Sequence, residues 1–362
     1  MVAAEHLLRS LFCTDRKGIT CMCTSFTVTA EDGSVTAGRT MEFAFDLESR
    51  LLVFPRGMSY QAKSPDPAVP GYSWRGTYGS VGMNLLGREC LLDGVNETGL
   101  YFGALYLPNF TEYQTVPVGR ESESMSQIHD VGNYLLSTCA SVSEAAAALE
   151  RVLVWGQPDP GTGKPIELHY TLHDASGSSL VAEYIDGELQ LHDNPLSVLT
   201  NSPPFEWHLL NTGNYVNLSA VNVPDLPLSG YDVSALGQGS GMLGLPGDFT
   251  PPSRFVRAVA LTQAAEPAPD AATSAIVAAH ILDSFDIPKG FVRSGEDGPD
   301  SIEYTEWSTI AGLAADHRRY FVRYYDSPVW CAVDLSDLDF DQEDVTVLDT
   351  TATWCVDVTP SA

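Results

Sequence analysis

Basic side chains are scarce in this chain of 362 residues: 19 Lys and Arg stand against 47 Asp and Glu, a formal net charge of −28. Nucleic acids and anionic membranes are held by Lys and Arg that neutralise phosphates, so neither is expected as a partner. Long apolar runs are missing too. No stretch of about 18 apolar residues occurs, and nothing reads as a membrane span. The first 22 residues carry Glu5, Arg9, Asp15, Arg16 and Lys17 but not the apolar run of a signal peptide. A cytoplasmic setting is the expectation. Cysteine is thin, odd in number and scattered, at positions 13, 21, 23, 90, 139, 331 and 355, which is not the spacing of a disulfide framework. Cys21 and Cys23 form a C-x-C without a second Cys or His pair at ligand spacing, so no metal is expected, and no cofactor either. Internal repeats and low-complexity linkers are also absent.

What is present reads as a globular chain with an unusual element order. Short β-branched runs from Cys23 to Gly57 are separated by turn residues at Asp32-Gly33 and Asp46 to Ser49. A Pro- and Ser-rich loop follows at Ser64 to Ser73, then strand candidates near Tyr78 to Met83, Glu89 to Val95 and Leu100 to Leu107. Two helices are expected next, with Ser143 as the cap of the Ala-rich second one. A meander turns at Asp174 to Ser178 and at Asp186-Gly187. Two more helices follow, one starting near Ser253 with Arg254 in its first turn, and strands resume after Ile302. Strands, helices, strands, helices, strands is not the alternation of a parallel sheet. It suits an α+β chain in which two antiparallel sheets are stacked between helical layers, a single domain over residues 23–362 behind a short extension at 1–22.

Several motifs compete for the chemistry. Gly239-Ser240-Gly241-Met242-Leu243-Gly244 matches a dinucleotide fingerprint, but Pro246, Pro251 and Pro252 forbid the helix that must start within it. His169, His173 and His208 read as hydrogen-bonded structural histidines. Cys23, in MCTSF, is different. If Met22 is the true start, or if the extension is removed by self-processing, this residue carries both a thiol and a free α-amine. Their ordinary pKa values, about 8.5 and about 7.7 to 8.0, are nearly matched. The amine can then take the thiol proton and return it to a leaving group, so nucleophile and base reside in one residue.

The blocks MCTSF, AGRTMEF, LLVFPRG, DGVNETGL, LTNSPPFEWH and GQGSGMLGLPGDFTPPSRF, in this order, resemble the choloylglycine hydrolase family of bile salt hydrolases and penicillin V acylases. The resemblance implies the four-layer αββα sandwich of the N-terminal-nucleophile hydrolases. It also implies the site: Cys23 as nucleophile, Arg39 beside it, Asn201 as side-chain oxyanion donor, and Arg254 as a second active-site arginine. Glu42 falls where the family usually has Asp bonded to the α-amine, so the carboxylate sits one methylene further out. At the second oxyanion position Tyr106 resembles the acylases, where bile salt hydrolases usually have asparagine. DGVNETGL is read as a turn, with Asp93, Asn96 and Gly99 serving the backbone.

The expected activity is amide hydrolysis of penicillin V acylase type on a small-molecule substrate. Bile salt hydrolysis is the alternative, with N-acyl homoserine lactone cleavage after it and a non-enzymatic ligand-binding relative last. The segment Ser202 to Gly230 resembles the excursion that pairs subunits in tetrameric relatives, which implies a homotetramer. All the named substrates except the lactone are anions, so binding is expected to rely on apolar pocket surface and on the local pair Arg39 and Arg254.

Overall fold

The computed structural model describes residues 22–44, 46–160, 162–293 and 302–351, so the expected extension lies outside the described residues except for Met22. Strands β1 (Met22–Thr29) and β2 (Val35–Phe43) form an antiparallel hairpin. Its turn is local chemistry: Asp32 Oδ1 accepts from the Ser34 N–H at 2.8 Å, and Gly33 takes the left-handed conformation at φ 88°. Residues from the far end of the sequence continue the sheet. Its order is Val198–Leu199, β1, β2, Ile302–Gly312, Arg319–Tyr324 and Cys331–Asp334, with Val292–Arg293 on the flank of Ile302–Gly312.

The second sheet has the order Glu188–Asp193, Ser179–Ile185, Leu168–His173, Tyr101–Tyr106, Asp93–Asn96, Ser80–Met83, Leu51–Phe54 and Thr346–Val347. Every pairing in both sheets is antiparallel, and β1 lies against Tyr101–Tyr106 where the sheets face each other. Helices Pro251–Ala264 and Ala271–Asp283 cover the first sheet, and Val131–Thr138 and Val142–Leu149 cover the second. The expected αββα sandwich is the one observed. Because both faces of each sheet are covered, the central strands are buried along most of their length, as β2 and Ile302–Gly312 show. Phe26 packs where β2 has no side chain: a Cβ on Gly38 would lie 2.8 Å from the Phe26 ring.

Some local readings are corrected. Ser141, not Ser143, caps Val142–Leu149, its hydroxyl accepting from the Glu144 N–H. The helix expected from Ser253 begins at Pro251 with Thr250 as its first boundary residue, because proline at the first helical position suits both the fixed φ and the missing donor. Ser253 instead donates to Asp248 Oδ2 at 2.7 Å. The Pro- and Ser-rich loop ends in a strand, since Pro70–Arg75 pairs with Ser59–Lys63 and stacks Trp74 on Tyr60. The glycine-rich segment holds one short turn of 3-10 helix, Ser240–Met242, and no α-helix starts within it. The four cysteines among the described residues, Cys23, Cys90, Cys139 and Cys331, are free thiols.

Candidate active site

Alternation along the strands sets which side chains share a face. Cys23 pairs with Met41, and Ser25 and Thr309 pair with Arg39, so these side chains share the face of the first sheet turned to the second. Cys23 is buried, its Sγ 3.7 Å from Arg39 Nη2 and 3.7 Å from Met41 Sδ. Arg39 crosses between the sheets: Nη1 donates to the Leu92 carbonyl at 2.7 Å and pairs with Asp93 at 3.3 Å, while Nη2 also donates to the Ala104 carbonyl. Burial opposes its charge, but the neighbouring Cys23 and Asp93 outweigh this and hold the guanidinium protonated above its ordinary range. A cation at this distance favours the thiolate.

Arg254 comes from the opposite face. The helix dipole disfavours a cation in the first turn, yet this guanidinium is fully buried because acceptors surround it. Nε donates to the Phe249 carbonyl at 2.9 Å, Nη1 to Thr24 Oγ1 at 2.8 Å and to the Cys23 carbonyl, and Nη2 to Asn201 Oδ1 at 2.6 Å. The same Asn201 oxygen accepts from the Cys23 N–H at 2.9 Å, and Asn201 Nδ2 donates to the Tyr106 carbonyl at 2.7 Å. An amide NH2 has a second hydrogen, so Asn201 retains donor capacity. Tyr106 is placed by sheet register. Leu107 N–H donates to the Glu167 carbonyl at 2.8 Å, which makes the Tyr106–Leu168 pair the non-hydrogen-bonded kind. The N–H and C=O of Tyr106 therefore both point away from that neighbour, to the side where Asn201 sits.

Glu42 is opposite Met22 in the β1–β2 register, one residue from the Cys23 nitrogen, and its Oε1 accepts from Thr305 Oγ1 at 2.9 Å. Burial, reinforced by Cys23, pushes its pKa up to about 8, against the opposing influence of Arg254 and of bonds from Thr40 and Thr305. A second buried acid, Glu303, is pushed up to about 7 by burial; Arg254 pulls it down and Cys23 adds to the rise. All six residues singled out in the sequence thus meet at one place. Asp93 is a correction. It is not a turn residue but the buried start of strand Asp93–Asn96, where it accepts from Arg39, Thr309, Tyr101 and Tyr320. The turn reading holds for Asn96, whose Oδ1 accepts from the Thr98 and Leu100 N–H groups, and for Gly99 at φ 89°. Sequence reasoning missed the site roles of Asp93, Thr305 and Glu303: Asp93 stood in the quoted block DGVNETGL, and Glu303 and Thr305 carried no signal beyond lying on an expected strand.

Among the described residues no three His, Cys, Asp or Glu side chains are grouped to hold a metal, and no helix is long and apolar enough to cross a membrane. The arrangement offers a buried thiol beside a cation, a donor amide and a strand N–H directed to the same side, which together suit acyl transfer. Comparison with known proteins agrees. The bile salt hydrolase/transferase of Clostridium perfringens is 28% identical over 326 residues, covering 90% of this chain and 95% of that protein. A solved structure of a mutant conjugated bile acid hydrolase from the same organism superposes with a TM-score of 0.77 at 26% identity, covering 91% of this chain and 97% of that one. The penicillin V acylase of Agrobacterium tumefaciens superposes with a TM-score of 0.69 at 28% identity, covering 91% and 92%. The model for linear amide C–N hydrolases of the choloylglycine hydrolase family matches residues 23–348, starting at the cysteine on which the site is built. With the sandwich and the family match in agreement, this chain belongs to the choloylglycine hydrolase family of linear amide C–N hydrolases.

Proposed function

We propose that the chain, once its N-terminus is Cys23, hydrolyses the amide of a bile-acid conjugate. The observation that carries this is the position of the Cys23 nitrogen, 2.9 Å from Asn201 Oδ1 and beside Glu42, with the thiol 3.7 Å from Arg39. While Met22 is attached, that nitrogen is an amide and has no basicity. Freed, it is an α-amine. It takes the thiol proton, Sγ attacks the amide carbonyl, and the oxyanion accepts from the second Asn201 Nδ2 hydrogen and from the Tyr106 N–H. The α-ammonium passes its proton to the leaving nitrogen as the C–N bond breaks. Water then adds to the thioester, the α-amine takes the water proton, and the thiol leaves with it. Glu42 orients the α-amine, and Arg39 and Arg254 hold the thiolate and Asn201 in place. The sequence favoured the penicillin V acylase type; bile-acid conjugates are put first because the likeness to the bile acid hydrolase is the higher of the two structural matches.

A penicillin V acylase is the second reading, favoured by the half-buried ring of Tyr106 at the site. The test uses protein whose mature N-terminus is verified by intact mass, with glycocholate, penicillin V and a long-chain acyl homoserine lactone as substrates. Glycocholate is expected to be turned over best, and Asn201→Ala to lower turnover about 10²- to 10³-fold. Preference for penicillin V would transfer the assignment to the second reading, and hydrolysis of none would overturn both. We further propose a homotetramer joined through the hairpin Leu226–Leu228 and Tyr231–Val233, where Leu228, Tyr231 and Leu236 are exposed. A monomer in light-scattering chromatography would refute it.

A further inference from the structure

Asn201 is gripped from behind as well as from the site. Strand Val198–Leu199 runs into Thr200 and Asn201, and both of their carbonyls are held by buried imidazoles. His169 Nε2 lies 3.2 Å from the Thr200 carbonyl, and His208 Nε2 lies 2.8 Å from the Asn201 carbonyl. A carbonyl only accepts, so each of these nitrogens carries hydrogen. For His208 that is a neutral imidazole, because burial pushes its pKa down to about 4; its ring stacks on Phe255 at 4.8 Å. For His169 the second nitrogen adds a constraint. Nδ1 is 2.9 Å from Glu183 Oε1, and both residues are buried, at 0% and 1% exposure. Either an imidazolium donates to a carboxylate, or a carboxylic acid donates to a neutral imidazole. Both arrangements hold one proton more than a neutral imidazole beside a carboxylate.

Glu183 extends the grip. Its two oxygens lie 3.1 and 3.2 Å from the N–H of Phe205, the first residue of helix Phe205–Asn211, and His208 on that helix returns to Asn201. The loop between Thr200 and Phe205 is therefore fastened at both ends to one buried pair. The charged and titratable groups facing the pair are His192, with ring nitrogens 3.9 Å from Glu183 and 3.8 Å from Glu206, then Glu206 and His208 from the helix, and Arg254 on the far side of Asn201.

We propose that His169 and Glu183 are positioning residues for Asn201: the proton they share at Nδ1 keeps a hydrogen on Nε2, that hydrogen fastens the Thr200 carbonyl, and without it the Asn201 amide moves off the oxyanion site. The inference rests on the oxyanion role proposed above for Asn201. Neither residue touches the substrate. Displacement of a catalytic group by about 1 Å can cost on the order of 10²-fold in rate.

Glu183→Gln separates this from a merely structural role. A Gln amide can donate to Nδ1 of a neutral His169 while its oxygen accepts from Phe205, so the network closes without the extra proton. In protein beginning at Cys23, kcat and KM are followed from pH 5.5 to 9.5 with glycocholate, penicillin V and the activated ester p-nitrophenyl acetate, which needs only a thiol and an oxyanion site. Glu183→Gln is expected to keep kcat within about threefold near neutrality and to hold it to higher pH than the native protein does, since its network closes without the extra proton. His169→Phe is expected to lower kcat about 100-fold with KM little changed. The proposal is overturned if Glu183→Gln shares the native pH profile, or if His169→Phe keeps the native kcat. Should His169→Phe not fold, the pH profile of Glu183→Gln decides alone. Asn201→Ala is the control. If it keeps the native kcat, the oxyanion reading fails and this inference with it; if it loses activity while His169→Phe does not, this inference alone fails.

Discussion

A buried arginine needs a counter-charge, and Arg39 finds one in Asp93 at 3.3 Å. Asp93 can serve because Thr309 donates to it at 3.1 Å, with further bonds from the Tyr101 and Tyr320 hydroxyls, so its charge is stabilised without water. Breaking such a pair from one side leaves an uncompensated buried charge. Asp93→Asn is therefore expected to lower stability by about 3–5 kcal/mol, read from the midpoint of chemical denaturation. The same substitution is expected to have an opposite effect on the Cys23 thiol. With the competing anion gone, the guanidinium 3.7 Å from Sγ acts more fully on the thiol, so iodoacetamide should alkylate Cys23 faster at pH 6.5. Slower alkylation would contradict the placement. The residues of the candidate site were legible because thiol, arginines and asparagine stand in long motifs. Their supports were not, since an Asp-Gly pair marks a turn as readily as it begins a buried strand.

Strand Ile302–Gly312 joins the site to the middle of the first sheet and concentrates buried acids. Glu303 and Glu306 lie on it, and its Thr305 bonds Glu42 on the neighbouring strand. A register shift between Thr305 and Trp307 takes Glu306 out of the ladder, and its Oε2 accepts from the Leu47 N–H at 2.9 Å. Burial pushes its pKa up to about 8, aided by Asp46 and opposed by the Leu47 bond and Lys289. The folded chain thus keeps a proton that the unfolded chain releases near its ordinary value of about 4.5, and the resulting stability is lost as pH rises from there through about 8. The slope reaches about 1.4 kcal/mol per pH unit between those limits. Glu306→Gln keeps an acceptor for Leu47 without the charge, so its melting temperature should gain on the native protein steadily from pH 5 to pH 8. An advantage that shrinks with pH would refute the assignment. The periodic pattern foretold this strand; its bulge and its buried carboxyls depend on neighbours far away in the chain.

At the scale of the molecule, a net charge of −28 opposes an anionic substrate, and local relief from Arg39 and Arg254 was the expectation. The fold removes most of that relief: both guanidinium groups are fully buried and directed at carbonyls, Asp93, Thr24 and Asn201, so they shape the site rather than receive the anion. Added salt should therefore lower KM for glycocholate or penicillin V, by screening repulsion beyond about 8 Å at 0.15 M ionic strength. A clear rise in KM with salt would mean that an exposed cation receives the substrate. By itself the sequence determined the element order, the family motifs and the candidate nucleophile, because periodicity, turn chemistry and motif spacing are local properties of the chain. Only the tertiary structure decided that β2 lies beside Ile302–Gly312, that Asp93 reaches Arg39 across the sheets, and that His169 and Glu183 stand behind Asn201. Those contacts join residues far apart in the chain, and they exist only once two sheets have been pressed together and water excluded from between them.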